Sequence, residues 1–361
     1  MPLDHYVTLG RSGLRVSPFC LGAMTFGEDL GWGTSVKDSE AILDRFIALG
    51  GNFIDTANVY TKGHSEKIIG DHLGRHKGKR DRMVIATKFS SNMYPGDPNG
   101  GGSSRKSIVE ACDQSLRRLQ TDYIDLYWLH NWDRHTPIEE TMAALDDLVR
   151  AGKVRYLGIS DAPAWKVSQA QMIAHFRGWA PFIALQIEYS LLERTVEGEL
   201  IPMAQELGLG VTPWSPLKSG VLSGKYTRAN AGKLAPDRGA WAGSHLHEKS
   251  YAVIDELERV AKQHGSTVAR VALAWVQGRP GVASTIIGAR TLAQLDDNVK
   301  ALDVVLTAEQ SATLDALTQP VLPFPAEILS LAGMLHSGGT TINGVHSQVT
   351  PYTPSSDDVR Y

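Results

Sequence analysis

The sequence predicts an α/β fold: a (β/α)8 TIM barrel with an N-terminal β-hairpin and an irregular C-terminal tail. Two observations carry this. Eight short apolar runs alternate with helical patterns along most of the 361 residues, and eight parallel βα units close naturally into a barrel. Three of the early runs also bring a reactive side chain to their ends. Asn52-Phe53-Ile54-Asp55 continues to Tyr60, Met83-Val84-Ile85-Ala86-Thr87 ends in Lys88, and Tyr127-Trp128-Leu129 ends in His130. Strand C-termini of such a barrel meet on one face, so these distant residues would share a pocket.

The elements follow in order. Residues 6–20 read as a hairpin, Tyr6–Leu9 and Leu14–Val16 about a Gly10-Arg11-Ser12-Gly13 turn. The strand candidates are Pro18–Leu21, Phe53–Asp55, Val84–Lys88, Ile124–His130, Tyr156–Ser160, Ile183–Ile187, Gly210–Trp214 and Ser284–Gly288. One helix starts at Asp38-Ser39, carries Ile42, Leu43, Phe46, Ile47 and Leu49 on one side, and stops at Gly50-Gly51. Another opens at Pro137 with Glu139 and Glu140 in its first turn, as the helix dipole favours, and closes at Gly152. The unit between Trp214 and Ser284 is too long for one crossover. It holds a Gly/Ser/Lys loop (Lys218–Tyr226), a polar stretch (Thr227–Ser244) and helical patterns at Glu248–His264 and Thr267–Gln277. The whole chain, 1–361, reads as one domain, with the barrel over about 6–318 and a Pro/Gly/Ser/Thr-rich tail, 319–361, laid over it. Asn92–Ser104, directly after the Lys88 strand, reads as a flexible lid.

Composition limits the partners. A 42% hydrophobic, 21% charged chain with net charge −3 has ample core and no basic footprint for nucleic acid or an anionic membrane. Two cysteines, Cys20 and Cys112, give no disulfide framework. The N-terminal Met-Pro-Leu-Asp-His lacks the charged-then-apolar pattern of a signal peptide, so a cytoplasmic location is expected. The histidines are scattered, and His245-x-His247 has no third ligand at useful spacing, so no metal is expected.

The strand-end residues suit carbonyl reduction. A ketone becomes an alcohol by taking a hydride on carbon and a proton on oxygen, and the proton donor must lie within hydrogen-bond reach of that oxygen. A free tyrosine, with a pKa of about 10, is a reluctant donor. A neighbouring ammonium stabilises the phenolate, and a carboxylate can hold the ammonium. Tyr60, Lys88 and Asp55 supply these parts, and His130 could orient the carbonyl oxygen. Singly, Asp55 could be a cap, Tyr60 packing and His130 a satisfied structural histidine. Their coincidence on one barrel face favours chemistry.

With these residues in view, the chain resembles the aldo-keto reductase superfamily, most closely bacterial members with a long C-terminal tail. The matching stretches are Asp55-Thr56-Ala57-Asn58-Val59-Tyr60, Ala86-Thr87-Lys88, Leu129-His130-Asn131-Trp132-Asp133, Gly158-Ile159-Ser160-Asp161, Gln186-Ile187-Glu188-Tyr189-Ser190 and Trp214-Ser215-Pro216-Leu217. The resemblance implies the tetrad Asp55, Tyr60, Lys88 and His130, with Tyr60 as general acid/base. It also implies a nicotinamide cofactor extended across the mouth, with Ser160, Asp161 and Gln186 on its carboxamide and Tyr189 stacked on its ring. Gly288, Arg290, Gln294, Asp297 and Asn298 would hold the adenosine end. Arg290 on a 2′-phosphate would favour NADP(H) over NAD(H). The chain departs from the family pattern in having Asp161 for Asn, Asp297 for Glu, and Gly288-Ala289 for Lys-Ser.

Other cofactor contacts are expected from Met24 and Thr25 at the first strand end and from the loops after strands seven and eight, a common phosphate site in barrels. The former of these loops supplies Trp214, Ser215, Pro216, Leu217, Lys218 and Gly220, with Lys225 closing a clamp. Thr291 and Gln294 have capping-box spacing, which would put a helix N-terminus beside Arg290. Phe26, Trp32, Met93, Tyr94 and Trp132 are the candidate substrate pocket. Their apolar walls suit a bulky or ring ketone or a secondary alcohol. The function expected is NADP-dependent interconversion of aldehydes or ketones and alcohols (EC 1.1.1.-). An alternative from the same superfamily is a regulatory module like a potassium-channel β subunit; the short stretch before the hairpin favours the enzyme. Oligomeric state is left open.

Overall fold

The computed structural model describes residues 2–230, 242–354 and 356. The polar stretch expected over Thr227–Ser244 falls largely on 231–241, outside the described residues. The chain forms two compact units, Met1–Gln319 and Pro320–Tyr361.

In the larger unit a two-stranded antiparallel hairpin, β1 (Val7–Thr8) and β2 (Arg15–Val16), precedes an eight-stranded sheet. The sheet contains β3 (Phe19–Gly22), β4 (Phe53–Asp55), β5 (Val84–Phe89), β6 (Ile124–Leu129), β7 (Val154–Ser160), β8 (Phe182–Glu188), β9 (Gly210–Trp214) and β10 (Thr285–Gly288). Neighbours are parallel throughout, and β10 pairs with β3. The ring is completed by a single parallel bridge, Val211 to Val282, with Ala283 N–H donating to Val211 O at 2.9 Å. This is the (β/α)8 barrel expected, with most strand ends within two residues of the predicted ones.

Period-2 alternation divides the core in two. Phe19, Leu21, Ile54, Ile85, Tyr127, Leu129, Leu157, Ile159, Leu185 and Ile187 face outward and pack with helices such as Val36–Ala48, Ile138–Arg150 and Ala164–Arg177. Cys20, Phe53, Val84, Ala86, Leu126, Trp128 and Ala184 form a second cluster inside the ring. Leu9 and Val16, both fully buried, join that inner cluster, so the hairpin stops the N-terminal end of the barrel. Gly10 makes this possible: at φ +59° its Cα passes so close to β8 that a Cβ would meet Ile183 O at 2.2 Å. Gly158 does the same for Trp128, whose indole occupies the space a Cβ would take at 2.2 Å.

Helix starts follow their caps. The first helix begins at Val36, two residues before the expected position, because Ser35 rather than Asp38 caps it and accepts from Asp38 N–H. The smaller unit departs from the irregular chain expected. It holds helices Ala326–Ser330 and Ala332–Ser337 and a hairpin of β11 (Thr341–Ile342) and β12 (Val345–His346). Asn343 and Gly344, at φ 50° and 81°, supply the two left-handed positions of that hairpin's turn. Among the described residues no helix is long and apolar enough to cross a membrane.

Candidate active site

The alternation that builds the inner cluster also decides which polar side chains enter the mouth. Asp55 continues the face of Phe53, Lys88 that of Val84 and Ala86, His130 that of Trp128, and Gln186 that of Ala184. At the C-terminal end the inner positions become polar. Lys88 is fully buried, and its ammonium donates to Asp55 Oδ1, to Thr56 O at 2.9 Å and to the Tyr60 hydroxyl at 3.2 Å. Tyr60 comes from the loop after β4 rather than from a strand. Asn58 N–H donates to Lys88 O at 3.1 Å, and Thr61 and Lys62 take left-handed φ of 46° and 60°, which turns the chain back tightly. The Tyr60 ring meets His130 edge-on at 5.9 Å and lies 4.8 Å from the Lys88 ammonium. The four expected residues therefore form one contiguous cluster.

Its electrostatics are set by burial and charge in opposition. Burial works against the Lys88 ammonium, but the Asp55 and Tyr60 oxygens outweigh it and hold its pKa above the ordinary lysine value. Burial pushes the Asp55 carboxyl up, against the pull of Lys88 and the hydrogen bond from Gln186. The Tyr60 hydroxyl is raised rather than lowered, which corrects the expectation from its ammonium neighbour: loss of solvent exceeds the effect of Lys88. The phenol thus keeps its proton at neutral pH. Burial, followed by the charge of Lys88, pushes His130 down to about 3. Its imidazole is neutral and can donate one N–H without carrying charge.

Gln186 was expected to face only a cofactor, yet its amide also donates to Asp55 Oδ2 at 3.1 Å. That link joins the tetrad to a later strand, β8, while the Lys88 bond to the Thr56 carbonyl ties β5 back to the end of β4. Sequence alone could not show either, because a backbone carbonyl or a distant amide carries no motif.

Most expected cofactor residues lie at strand C-termini. Ser160 Oγ is buried and has no hydrogen-bond partner, and it stands opposite Gln186 in the sheet register. Such an orphaned hydroxyl beside an amide fits a carboxamide ligand. Asp161 takes φ +44°, a conformation tolerated by Asp and Asn, and its carboxylate accepts from Trp214 Nε1 at 3.0 Å. Asn, the residue of the family pattern here, could take the same backbone conformation and accept the same bond, so this geometry admits either residue. Met24 is exposed and Thr25 buried. After β9, Ser215, Lys218 and Ser219 have positive φ, as does Gly220, and Ser215 Oγ accepts from Ser219 N–H at 3.0 Å. Pro216 and Leu217 lie inside this winding, and Lys225 follows its final left-handed residue, Gly224. Lys218 is committed to Glu188 at 2.9 Å and Glu193 at 3.5 Å.

Arg290 is exposed just before the helix Leu292–Val299. Thr291 accepts from Gln294 N–H at 3.2 Å, but the Gln294 side chain accepts from Arg290 N–H at 2.8 Å, not from Thr291. The expected capping box is therefore half formed, with its second bond shifted one residue back. Gly288 is exposed with open space where a Cβ would stand. Asn298 donates to Gly288 O at 3.1 Å, and Asp297 is held by Arg270 at 2.5 Å and by Thr267 at 3.2 Å.

Two residues are placed elsewhere. Tyr189 is 1% exposed; its hydroxyl donates to Glu197 at 2.6 Å and accepts from Arg279 Nε at 3.2 Å, and its ring packs edge-on against Trp275. It is part of a buried polar cluster and offers no face to a ligand. Half-buried Trp214, tied to Asp161, is the aromatic side chain at that strand end. Phe26 is fully buried and does not reach the mouth: it has no solvent-accessible surface and packs in the outer cluster.

Of the remaining pocket candidates, Trp32 is half-buried in a loop pinched between Phe26 and Thr34. Met93 and Tyr94 line a cavity of about 180 Å³ between their own loop and the helix Arg105–Leu119, walled also by Asn58, Gly100 and Gln114. None of the tetrad lines it. Trp132 is half-buried two residues beyond His130 and meets Trp165 edge-on at 5.4 Å. Trp165 was not anticipated, since a tryptophan in a helix's first turn has no catalytic signature.

Comparison with known proteins accords with this geometry. A sequence model described as the Aldo/keto reductase family matches residues 18–319. An oxidoreductase of Bacillus subtilis is 41% identical over 314 residues, covering 84% of this chain and 93% of the relative. An aryl-alcohol dehydrogenase of Pestalotiopsis microspora is 38% identical over 340 residues, covering 92% and 86% respectively. Another from Phanerodontia chrysosporium, whose name carries NADP(+), is 35% identical over 356 residues, covering 94% and 90%.

Proposed function

Because the chain belongs to the aldo/keto reductase family, and is by that membership an oxidoreductase of carbonyls and alcohols, we propose that it interconverts aryl aldehydes or related ring carbonyls with their alcohols, using NADP(H) in preference to NAD(H). The observation that carries the reading is the Tyr60 hydroxyl, 3.2 Å from the Lys88 ammonium and edge-on to His130 at the strand ends. Aryl substrates are suggested by the relatives' names and by the indoles of Trp132 and Trp214 near the tetrad.

The nicotinamide dinucleotide, when bound, supplies or accepts the hydride. Ser160, Asp161 and Gln186 are the groups that would hold its carboxamide, Trp214 its ring, and Arg290 a 2′-phosphate. The orphaned Ser160 hydroxyl is the feature that fits. Tyr60, protonated at neutral pH, donates its proton to the carbonyl oxygen. The Lys88 ammonium stabilises the phenolate left behind, and Asp55 fixes the ammonium by its carboxylate. Neutral His130 directs an N–H at the same oxygen, adding a donor where negative charge develops. In the reverse direction Tyr60 must first lose its proton, which alkaline pH and the Lys88 ammonium favour, and the phenolate then takes the alcohol proton.

The test is NADPH consumption with benzaldehyde and NADP+ reduction with benzyl alcohol, repeated with the NAD pair. Tight cofactor binding without turnover would sink the enzymatic reading and favour a regulatory module.

A further inference from the structure

The rim between β6 and β7 carries an assembly that the proton-transfer chemistry does not use. Trp132, in the loop after His130, and Trp165, in the first turn of the helix Ala164–Arg177, pack edge-on. Two cations lie against them. The Lys166 ammonium is 4.5 Å from the Trp165 ring centre and 5.3 Å from that of Trp132, and the Arg134 guanidinium is 5.8 Å from Trp132. Among the described residues neither cation makes an ion pair; Lys166 donates only to the neutral Gln169 amide.

The placement of Lys166 runs against ordinary helix electrostatics. The N-terminus of a helix carries partial positive charge and favours acidic side chains. This helix has none in its first turn, has Lys166 there instead, and its N-cap, Pro163, makes no side-chain cap bond. The acids nearest in sequence pair with neither cation: Asp133 accepts from Ser103 N–H, Thr136 Oγ1 and His135 N–H, and Asp161 accepts from Trp214 Nε1. Among the described residues the rim thus presents two cations without an ion-pair partner beside a half-exposed aromatic pair. Trp165 is 57% exposed. Trp132 follows His130 by two residues, so their Cα atoms are separated by about 7 Å at most.

Resting on the proposed carbonyl reduction, we infer that Trp132, Trp165, Arg134 and Lys166 form a specificity site for substrates whose aromatic ring bears a carboxylate away from the reacting carbonyl. The indoles receive the ring, and the two cations receive the anionic substituent. Lys166 and Arg134 select the substrate and take no part in proton transfer.

The experiment compares kcat/KM for 4-carboxybenzaldehyde and benzaldehyde with NADPH. The wild-type protein is expected to prefer the carboxylated aldehyde about tenfold, the scale of two partly exposed charge contacts, with the preference residing in KM. Arg134→Gln/Lys166→Gln should bring the ratio near one. Independently of any variant, raising NaCl from about 0.01 to about 1 M shrinks the screening length from about 30 to about 3 Å and should erase most of the wild-type preference. A ratio near one in the wild-type protein, or a preference indifferent to both salt and the double substitution, overturns this site while leaving the reductase reading intact. Turnover of neither aldehyde overturns both.

Discussion

The imidazole of His130 gives the sharpest quantitative test, because its environment sets both a stability and a catalytic property. Burial and then Lys88 push its pKa from 6.5 to about 3. Below pH 6.5 the unfolded chain binds a proton that the folded chain refuses, so unfolding is favoured as pH falls. The loss begins near 6.5, grows by about 1.4 kcal/mol per pH unit, and ends near 3, where the folded histidine also protonates. Across the whole window it amounts to about 5 kcal/mol, and by pH 4.5 to about 2.5 kcal/mol. His130→Gln removes this term and leaves every other titrating group in place. Urea unfolding of both proteins at pH 7.5 and 4.5 should therefore show the wild type losing about 2–3 kcal/mol more than the variant. In NMR, the ring resonance missing from the variant should not titrate between pH 8 and 5. A resonance titrating near 6.5, or equal pH dependence of the two proteins, refutes the neutral, desolvated imidazole. The role assigned to it as an uncharged hydrogen-bond donor falls with it.

Other substitutions separate the remaining parts. Tyr60→Phe should lower carbonyl reduction by at least about 10²-fold, the lower end of general-acid contributions, while fluorescence titration shows NADPH binding unchanged; activity close to wild type removes Tyr60 from proton transfer. Lys88→Met leaves Asp55 buried without its cation and should cost about 3–5 kcal/mol in urea unfolding. Asp55→Asn/Lys88→Met should recover most of that stability but none of the activity; an undiminished single variant would show that the buried pair is not ionised. Arg290→Ala should raise the Kd for NADPH about tenfold or more relative to NADH, as loss of a charge-assisted contact implies. Parallel losses for both cofactors would remove the phosphate role.

What could be read in the sequence tracks how local the determining physics is. Strands β4, β5 and β9 were legible because each short apolar run ends in Asp, Lys or Trp followed by turn chemistry. Asp55, Lys88 and His130 were legible for the same reason: strand periodicity points them inward, and that is a local property. Tyr60 needed a left-handed turn at Thr61 and Lys62, which no residue type announces, so its place beside Lys88 was expected from strand order and chemistry and not from local periodicity. Tyr189 was expected at the mouth because it follows a strand end. What takes Tyr189 into the interior is Arg279, 90 residues further on, together with Glu197, and pairing at that range leaves no periodic trace. Phe26 was misjudged because the chain leaves the strand after Gly22, and alternation stops predicting direction there. The Asn343-Gly344 turn was visible in principle, but composition of the tail concealed it.

The hairpin under the barrel has a consequence for how this chain can change. Leu9 and Val16 close one end with apolar contacts made by the hairpin, so that end is sealed independently of the loops at the mouth. The loops after Phe89, His130 and Asp161 can then lengthen, shorten or exchange residues without unsealing that end. Selection for a new substrate can act on the rim while the stopper stays unchanged. Loop grafting should therefore be tolerated at the mouth, whereas a single bulky residue at Gly10 should not be.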